Sequence, residues 1–301
     1  MLSKVVEQLR LLRYRMFGRE PSLAEWEERL GRIVAETVAE SLRWIPPGGA
    51  FVDVGANVGV YAEKVLAERP GARAWLFEPV RAHYERCRER MAARPSVVVE
   101  NLALDDETGA RTIWKLKHNP GGNTLNRELA MRWTDRGDGA QEHKRATAGR
   151  PPGRKGTMHF RPEDIRCAVF DEYAREHGIT AIDFVKSDTE GSDHRVLRGM
   201  LPFLERCEPR PVILAEFWSE AIFPDFAGQM QVLEALYRLG YGRIDLSGVE
   251  FAGDFLLVPP GRTPIEPARG PNDPGTGSRD GAGGSPDARR TGSGPARTKV
   301  P

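Results

Sequence analysis

Two short stretches of this sequence carry residue types that can do chemistry. The first is Phe51-Val-Asp-Val-Gly-Ala-Asn-Val-Gly59. Gly55 and Gly59 permit a tight turn and a close approach of ligand to backbone, and N–H groups at the start of a following helix would face that ligand. A pyrophosphate-binding turn reads G-x-G-x-x-G, and its anion is disfavoured by a neighbouring carboxylate. Here Asp53 stands two residues before Gly55. A carboxylate at that point repels phosphate and attracts an ammonium or a sulfonium. Glu78, in Trp75-Leu-Phe-Glu-Pro79, follows about one βα unit later, where a carboxylate can accept hydrogen bonds from two ribose hydroxyls. A cationic ligand that carries a ribose suggests S-adenosylmethionine, and with it methyl transfer.

The second stretch is Lys186-x-Asp188-x-Glu190-Gly191, at the carboxyl end of an apolar run that reads as a parallel strand. That edge is where ligands bind in open α/β sheets. Asp188 is expected to face the cofactor or the acceptor atom, and Lys186 to pair with a carboxylate. Glu190 or His194 would take a proton from an acceptor hydroxyl. Carboxylates beside a helix N-terminus are also favourable without any catalysis, and His194 reads as an exposed helix residue at least as well as a base. Asp188 with Glu216 is a weak signal for a hard cation such as magnesium, and no metal is assigned.

The elements that must position these residues alternate along the chain. Phe51, Val52 and Val54 form a strand buried on both faces. A helical stripe (Val58, Tyr61, Ala62, Val65, Leu66) follows to about Arg69. Then come a strand over Ala74–Phe77, a helix over Arg81–Ala92 and a strand over Val97–Leu104. This βαβαβ order predicts a parallel sheet with right-handed crossovers. Asn101-Leu-Ala103 lies at its edge, where a cofactor base would lie. Asp105–Gly109 reads as a turn and Arg111–Lys117 as an added strand. From about 118 to 157 the pattern dissolves into an inserted loop. Its residues 143–155 hold Lys144, Arg145, Arg150, Arg154 and Lys155 and no acidic residue, a segment that is either solvated or attractive to an anionic substrate. Gly121-Gly-Asn-Thr124 is more turn-like, a candidate part of an acceptor pocket.

Order returns with a helix near Val169–His177, the strand Ile182–Asp188, a helix over Arg195–Leu204 and a strand over Pro211–Phe217. A helix over Met230–Leu239 leads to a closing pair of strands, Tyr241–Leu246 and Phe251–Val258. At the other end, residues 1–18 form a basic amphipathic pattern, read as packing on the domain or on a second copy of the chain rather than on a membrane. Ser22-Leu-Ala-Glu25 is a capping box that opens a helix with Trp26, Leu30, Ile33, Val34, Val38 and Leu42 on one face. It would cover the sheet or roof the cofactor cleft. From Pro259 onward the chain is rich in Gly, Pro, Ser, Asp and Arg and is expected to be a disordered tail.

The 301-residue chain has 40% hydrophobic and 29% charged residues and a formal net charge of +1. That composition is typical of a soluble globular protein, and without a one-signed field there is no case for a nucleic-acid partner. No run approaches the roughly 18 apolar residues of a membrane span. Cys87, Cys167 and Cys207 lack C-x-x-C spacing, which points to reduced thiols in the cytoplasm and away from zinc or a disulfide framework.

Together these residues resemble the FkbM family of S-adenosylmethionine-dependent methyltransferases. The matching pieces are Phe-Val-Asp-Val-Gly-Ala-Asn-Val-Gly (51–59), Phe-Glu-Pro (77–79) and Asn-Leu-Ala-Leu with Glu-Thr-Gly following (101–109). Phe-Asp-Glu-Tyr (170–173), Ile-Asp-Phe-Val-Lys-Ser-Asp-Thr-Glu-Gly (182–191) and Val-Leu-Arg-Gly (196–199) complete the set. The similarity covers roughly residues 50–258. It implies an α/β class I methyltransferase fold: a Rossmann-like, seven-stranded, mostly parallel sheet with its last strand antiparallel and helices on both faces. Residues 1–48 would be an N-terminal helical extension, 49–258 the S-adenosylmethionine-binding domain and 259–301 the tail.

The resemblance also implies O-methylation of a hydroxyl on a sugar or other small secondary metabolite. Carried over, Asp53, Gly55, Asn57 and Gly59 would wrap the methionine end and Glu78 would hold the ribose, with Pro79 and Ala103 completing the cofactor set. Asp188, Glu190, Lys186 and His194 are the catalytic candidates. Two departures stand out: the family's acidic position after Glu-Gly-Ala is here Ser192-Asp193, which keeps the charge on a shorter side chain, and the Arg-rich insertion between about 127 and 157 is longer than usual. The alternatives are a carboxylate or nitrogen acceptor, or a dinucleotide-dependent oxidoreductase, which Asp53 and the missing G-x-G disfavour. The N-terminal helices are the expected surface of any homodimer.

Overall fold

A computed structural model of the chain describes residues 23–116, 121–135, 160–221, 223–246 and 253–266. Strand β1 (Ala50–Val54) is buried at every position. Its neighbours are β2 (Arg73–Phe77) and β7 (Phe184–Ser187), both parallel to it. With β3 (Val97–Glu100), β8 (Val212–Phe217), β9 (Gly242–Asp245) and β10 (Gly253–Val258), they make a seven-stranded sheet in the order β3-β2-β1-β7-β8-β10-β9. Only β10 runs against its neighbours, pairing antiparallel with both β8 and β9.

The apolar runs seen in the sequence arise because both sheet faces are covered. Side chains alternate along a strand. Val52, Val185, Ile213 and Leu257 enter one core, and Phe51, Phe184, Leu214 and Leu256 the other. The first core is closed by α6 (Phe170–Glu176), α7 (Asp193–Arg206) and α8 (Phe226–Arg238), through Phe170, Met200, Phe203 and Leu233 among others. The second is closed by α2 (Ala35–Ser41) and α3 (Val60–Glu68) through Val38, Tyr61, Val65 and Leu66, with α4 (Arg81–Met91) adding Cys87 and Met91. No helix among the described residues is long and apolar enough to cross a membrane.

A second, three-stranded sheet sits beside the main one, in the order β4-β6-β5. It comprises β4 (Ala103–Asp105), β5 (Gly109–Leu116) and β6 (Phe160–Val169). This corrects the expected single strand over Val97–Leu104. The chain bends at Asn101, whose amide donates to the carbonyl oxygens of Glu78 (3.0 Å) and Pro79 (2.8 Å), so β3 and β4 join different sheets. Strand β6 escaped the sequence reading because it opens on Arg161, Pro162, Glu163 and Asp164, mostly solvent-facing, with no apolar alternation. Helix α5 (Arg127–Asp135), inside the expected loop, was likewise missed.

Two further expectations are revised. The long N-terminal helix is two: α1 (Leu23–Ile33) ends before Val34 and α2 begins after it. Helix α2 covers the sheet, while Leu30 of α1 packs on Val58 and Val60 at the start of α3. The tail does not begin at Pro259. Residues 259–266 return to the body, where Arg262 donates to Asp183 and to the Trp44 carbonyl, and the Ile265 N–H to Arg43. Polar anchoring, which composition does not reveal, holds this piece. The basic helix of residues 1–18, Ser22 of the capping box and the Arg-rich segment 143–155 lie outside the described residues.

Candidate functional site

Sheet register brings the two chemical stretches to one edge. Val54 stands opposite both Phe77 and Ser187, and Phe77 opposite Glu100. The residues that follow these ladder partners therefore leave the sheet at one level. Gly55, Glu78 and Asp188 all line one cavity.

On one side of the cavity the backbone does the shaping. The Gly55 and Ala56 N–H groups both donate to the Phe77 carbonyl, at 3.0 and 3.1 Å. Gly55 has φ 76°, and a Cβ on it would lie 2.2 Å from the Asp188 carbonyl oxygen. The turn after β1 thus touches the turn after β7, and only glycine fits between them. Asn57 follows with φ 51°, a conformation that asparagine tolerates better than most residues. Its N–H donates to Glu78 Oε2 at 2.8 Å, and the Val80 N–H donates to Glu78 Oε1 at 2.8 Å.

Glu78 is accordingly a held carboxylate with spare capacity. Each oxygen takes one backbone N–H, which leaves each able to accept another donor, a fit to the two hydroxyls of a ribose. Burial pushes the Glu78 carboxyl up to about 7, against the pull of its two N–H donors. His83 Nδ1 lies 3.8 Å away, too far for a hydrogen bond. Burial, helped by Lys115, lowers the His83 pKa to about 4, so its ring is neutral at pH 7. Pro79 and Ala103 line the cavity as well; Gly59 does not, lying instead against Cys87.

Asp53 is placed differently from its sequence reading. It is fully buried, does not line the cavity and forms an ion pair with Lys186 at 3.1 Å. Its other oxygen, Oδ2, is buried with no hydrogen-bond partner among the described residues. Burial raises its pKa against the attraction of Lys186. Burial also works against the Lys186 charge, but Asp53 and Asp188 outweigh it and hold that pKa above the ordinary lysine value. The Lys186 ammonium lies 5.3 Å from the centroid of the Tyr61 ring and 3.8 Å from Asp188. Lys186 does pair with a carboxylate, as expected, but inside the protein. Two carboxylates and one ammonium leave a net negative charge, and Asp188, half exposed at the cavity wall, is the member that presents it.

The turn after β7 carries the other candidates. Glu190 lines the cavity and adopts φ 52°. Thr189 and Ser192 line it too. Asp193 is buried beneath the turn, accepting from the Ser187 hydroxyl at 2.6 Å and from the Thr189 N–H at 3.4 Å. Burial raises its pKa to about 6. The carboxylate at the family's acidic position, here on the shorter aspartate side chain, thus braces the turn from below. His194 corrects the expectation of an exposed helix residue: it is 3% exposed, packs edge-on against Phe223 and pairs with Asp225 at 3.0 Å. It does not line the cavity. A single histidine near a helix start gives no sign of which way it points, and here α8, capped by Asp225, captures it.

Sequence reasoning missed Ile113 and Leu125 as contributors, whereas Asn101 and the 121–124 turn were singled out. Asn101 fixes the turn that presents Glu78, as described above. Ile113, Gly121, Asn123 and Leu125 complete the cavity wall from the far side. The turn-like Gly121-Gly-Asn-Thr124 was the available signal, and it does reach the site. Glu216, weighed with Asp188 for a cation, remains inside β8 and is buried. Among the described residues no group of three or more His, Cys, Asp or Glu side chains is arranged to hold a metal.

Residues 53–241 match the family model described as the methyltransferase FkbM domain. The chain is 28% identical over 169 residues to the 31-O-demethyl-FK506 methyltransferase FkbM of Streptomyces tacrolimicus, covering 51% of this chain and 60% of that protein. It is 24% identical over 153 residues to the 2-O-methyltransferase NoeI of Sinorhizobium fredii, covering 51% and 58%. The match thus spans about three-fifths of the length of these curated relatives. Among solved structures, Aeropyrum pernix fibrillarin in complex with natively bound S-adenosyl-L-methionine aligns at 11% identity with a TM-score of 0.38, covering 74% of each chain.

Proposed function

Because the chain belongs to the FkbM methyltransferase family, we propose that it transfers a methyl group from S-adenosylmethionine to a hydroxyl oxygen of a small-molecule acceptor. The observation that carries this reading is Glu78, a buried carboxylate with one free acceptor position on each oxygen, at the same sheet level as Gly55 and Asp188. When bound, the donor supplies a methyl group made electrophilic by its sulfonium. Glu78 would accept from the ribose hydroxyls, and the Gly55 turn would let the ligand lie against the backbone. Asp188 would set a negative potential on the side of the cavity nearest β7, while Asp53 and Lys186 hold it in place from within.

Transfer to a hydroxyl releases one proton as the oxygen–methyl bond forms. Glu190 is the cavity-lining carboxylate proposed to take it, with Asp188 second; general-base assistance of this kind contributes about 10²–10⁴-fold. His194, turned toward Asp225, is proposed to brace α7 on α8 rather than to move a proton. An oxygen acceptor is supported by the names of the two relatives, both O-methyltransferases. Residues 49–258 are proposed as the catalytic domain. The described cysteines, all three free and buried, are consistent with action in a reducing compartment such as the cytoplasm.

Isothermal titration with S-adenosylhomocysteine and, separately, with NAD tests the donor assignment. Binding of S-adenosylhomocysteine and none of NAD is expected. The reverse result would replace the methyltransferase reading with the dinucleotide one.

A further inference from the structure

The two sheets of the molecule meet over the cavity, and one buried hydroxyl joins them there. Thr124 is fully buried. Its main chain pairs alongside β5 in an isolated antiparallel bridge: the Trp114 N–H donates to the Thr124 carbonyl at 2.8 Å, and the Thr124 N–H to the Trp114 carbonyl at 3.1 Å. Its side-chain oxygen faces the other sheet. The hydroxyl donates to the Glu190 carbonyl at 2.8 Å and accepts from the Asn126 N–H at 3.1 Å. Asn126 in turn accepts the Leu129 N–H through its side chain at 2.9 Å, starting α5.

A second contact lies beside the first. A Cβ on Gly191, which has φ 96°, would sit 3.0 Å from Leu129 Cδ2 and 3.2 Å from Phe223 Cε2. Helix α5 therefore presses on the turn that Thr124 holds. Gly121, Asn123 and Leu125, on either side of Thr124, line the same cavity as Gly55, Glu78 and Glu190. Leu125 packs among Val80, Ala103 and Ile113, next to the Glu78 turn. This strap thus spans from the donor-side wall to the Glu190 turn, and the Thr124 hydroxyl is its attachment at the far end.

We propose that Thr124 is a positioning residue that fastens the 121–125 strap as the outer wall of the cofactor cavity and holds the Glu190 turn beneath it. The proposal rests on the assignment of S-adenosylmethionine as donor. It adds that retention of the donor depends on a segment outside the glycine turn and the ribose carboxylate. Removing the hydroxyl deletes both of its hydrogen bonds, to the Glu190 carbonyl and from the Asn126 N–H, so the strap would loosen at that end. A loosened wall releases a bound ligand faster, and changes of this kind fall mainly on dissociation.

The test compares wild type, Thr124→Val and Thr124→Ser by titration with S-adenosylhomocysteine and by stopped-flow displacement of it. Thr124→Val, equal in shape, is expected to weaken binding about tenfold, mostly through faster dissociation, and Thr124→Ser to stay within about twofold of wild type. A lowered melting temperature with unchanged affinity and dissociation rate would make Thr124 a fold residue only and overturn the proposal. No binding to the wild type would instead overturn the donor assignment, and this proposal with it. If Thr124→Val does not fold, hydrogen exchange of the wild type decides. Amides of 121–126 are expected to gain protection when S-adenosylhomocysteine is added, and unchanged exchange there would overturn the proposal.

Discussion

The two walls of the cavity are built in opposite ways. The wall on the β1–β2 side comes from contiguous sequence. Gly55, Asn57 and Glu78 lie within one βαβ unit, and backbone hydrogen bonds between adjacent turns hold them. The opposite wall is assembled from chain segments far apart in sequence, through side chains: Thr124 on Glu190, Leu129 and Phe223 around Gly191, and Asp193 under Ser187. The first wall is therefore a property of the fold, and the second a property of particular side chains. Binding of a common donor suits the first arrangement. Under the proposed function, selection among acceptors would suit the second, which through Thr124 also helps to close the donor cavity.

The contrast predicts different failures. Gly55→Ala strikes where the walls touch and should abolish the distinction. With φ 76° and a Cβ 2.2 Å from the Asp188 carbonyl, it is expected to cost more than about 3 kcal/mol of stability and to remove measurable S-adenosylhomocysteine binding. Urea unfolding and titration check this, and a stable, binding-competent variant would show that the turns can part. Glu190→Gln should affect only the second wall. Turnover on an acceptor identified by release of S-adenosylhomocysteine is expected to fall about 100-fold with cofactor affinity retained. Equal turnover would take Glu190 out of proton transfer.

Glu78→Gln is the counterpart on the first wall. It keeps one carbonyl oxygen and loses the charge, so S-adenosylhomocysteine affinity should drop about 30-fold. An equal loss of turnover at saturating cofactor would contradict the division of labour. Smallest is a pH effect. The Glu78 carboxyl is raised to about 7 in the folded protein. Below its ordinary value the protonated form is common to folded and unfolded chains. As pH rises from there through 7, the unfolded chain ionises first, so the contribution of Glu78 to ligand-free stability declines. Cofactor binding runs the other way, because the ionised carboxylate is the better acceptor for hydroxyl donors. Wild-type affinity is expected to rise roughly tenfold between pH 6 and pH 8, and the Glu78→Gln profile to be flat over that range.

The same contrast decides what could be read from the residues alone. Phe51–Gly59 and Trp75–Pro79 announce themselves, since a strand, a glycine turn and a carboxylate one unit later are local signals that tertiary packing leaves intact. The parallel βαβαβ order and the closing pair of strands followed, and the family resemblance implied the rest of the seven-stranded sheet, down to its antiparallel β10. Long-range pairing was out of reach. Nothing near Asp53 in sequence says that Lys186 lies 3.1 Å away, so a carboxylate that looked free for a sulfonium proves to be half of a buried pair. His194 has no local mark of its partner Asp225. Strand β6 is polar along its first half and resembles a loop until β5 is laid beside it.

The hairpin that carries the strap has one more property. Leu116 and Phe160 pair across its open end, so everything between them enters and leaves the domain at a single point. The entropy of closing such an excursion grows only logarithmically, with each doubling of its length adding about 0.6 kcal/mol. The Gly55 and Glu78 turns follow β1 and β2 of the other sheet, although Ala103 of β4 and Ile113 of β5 line the same cavity. The connection between Leu116 and Phe160 can therefore change in length at small thermodynamic cost while the Gly55 and Glu78 turns stay as they are, so long as the 121–125 strap is kept. Under the proposed function, acceptor preference would in this way be varied on a constant methyl-donor platform, provided that the residue standing at 124 still reaches Glu190.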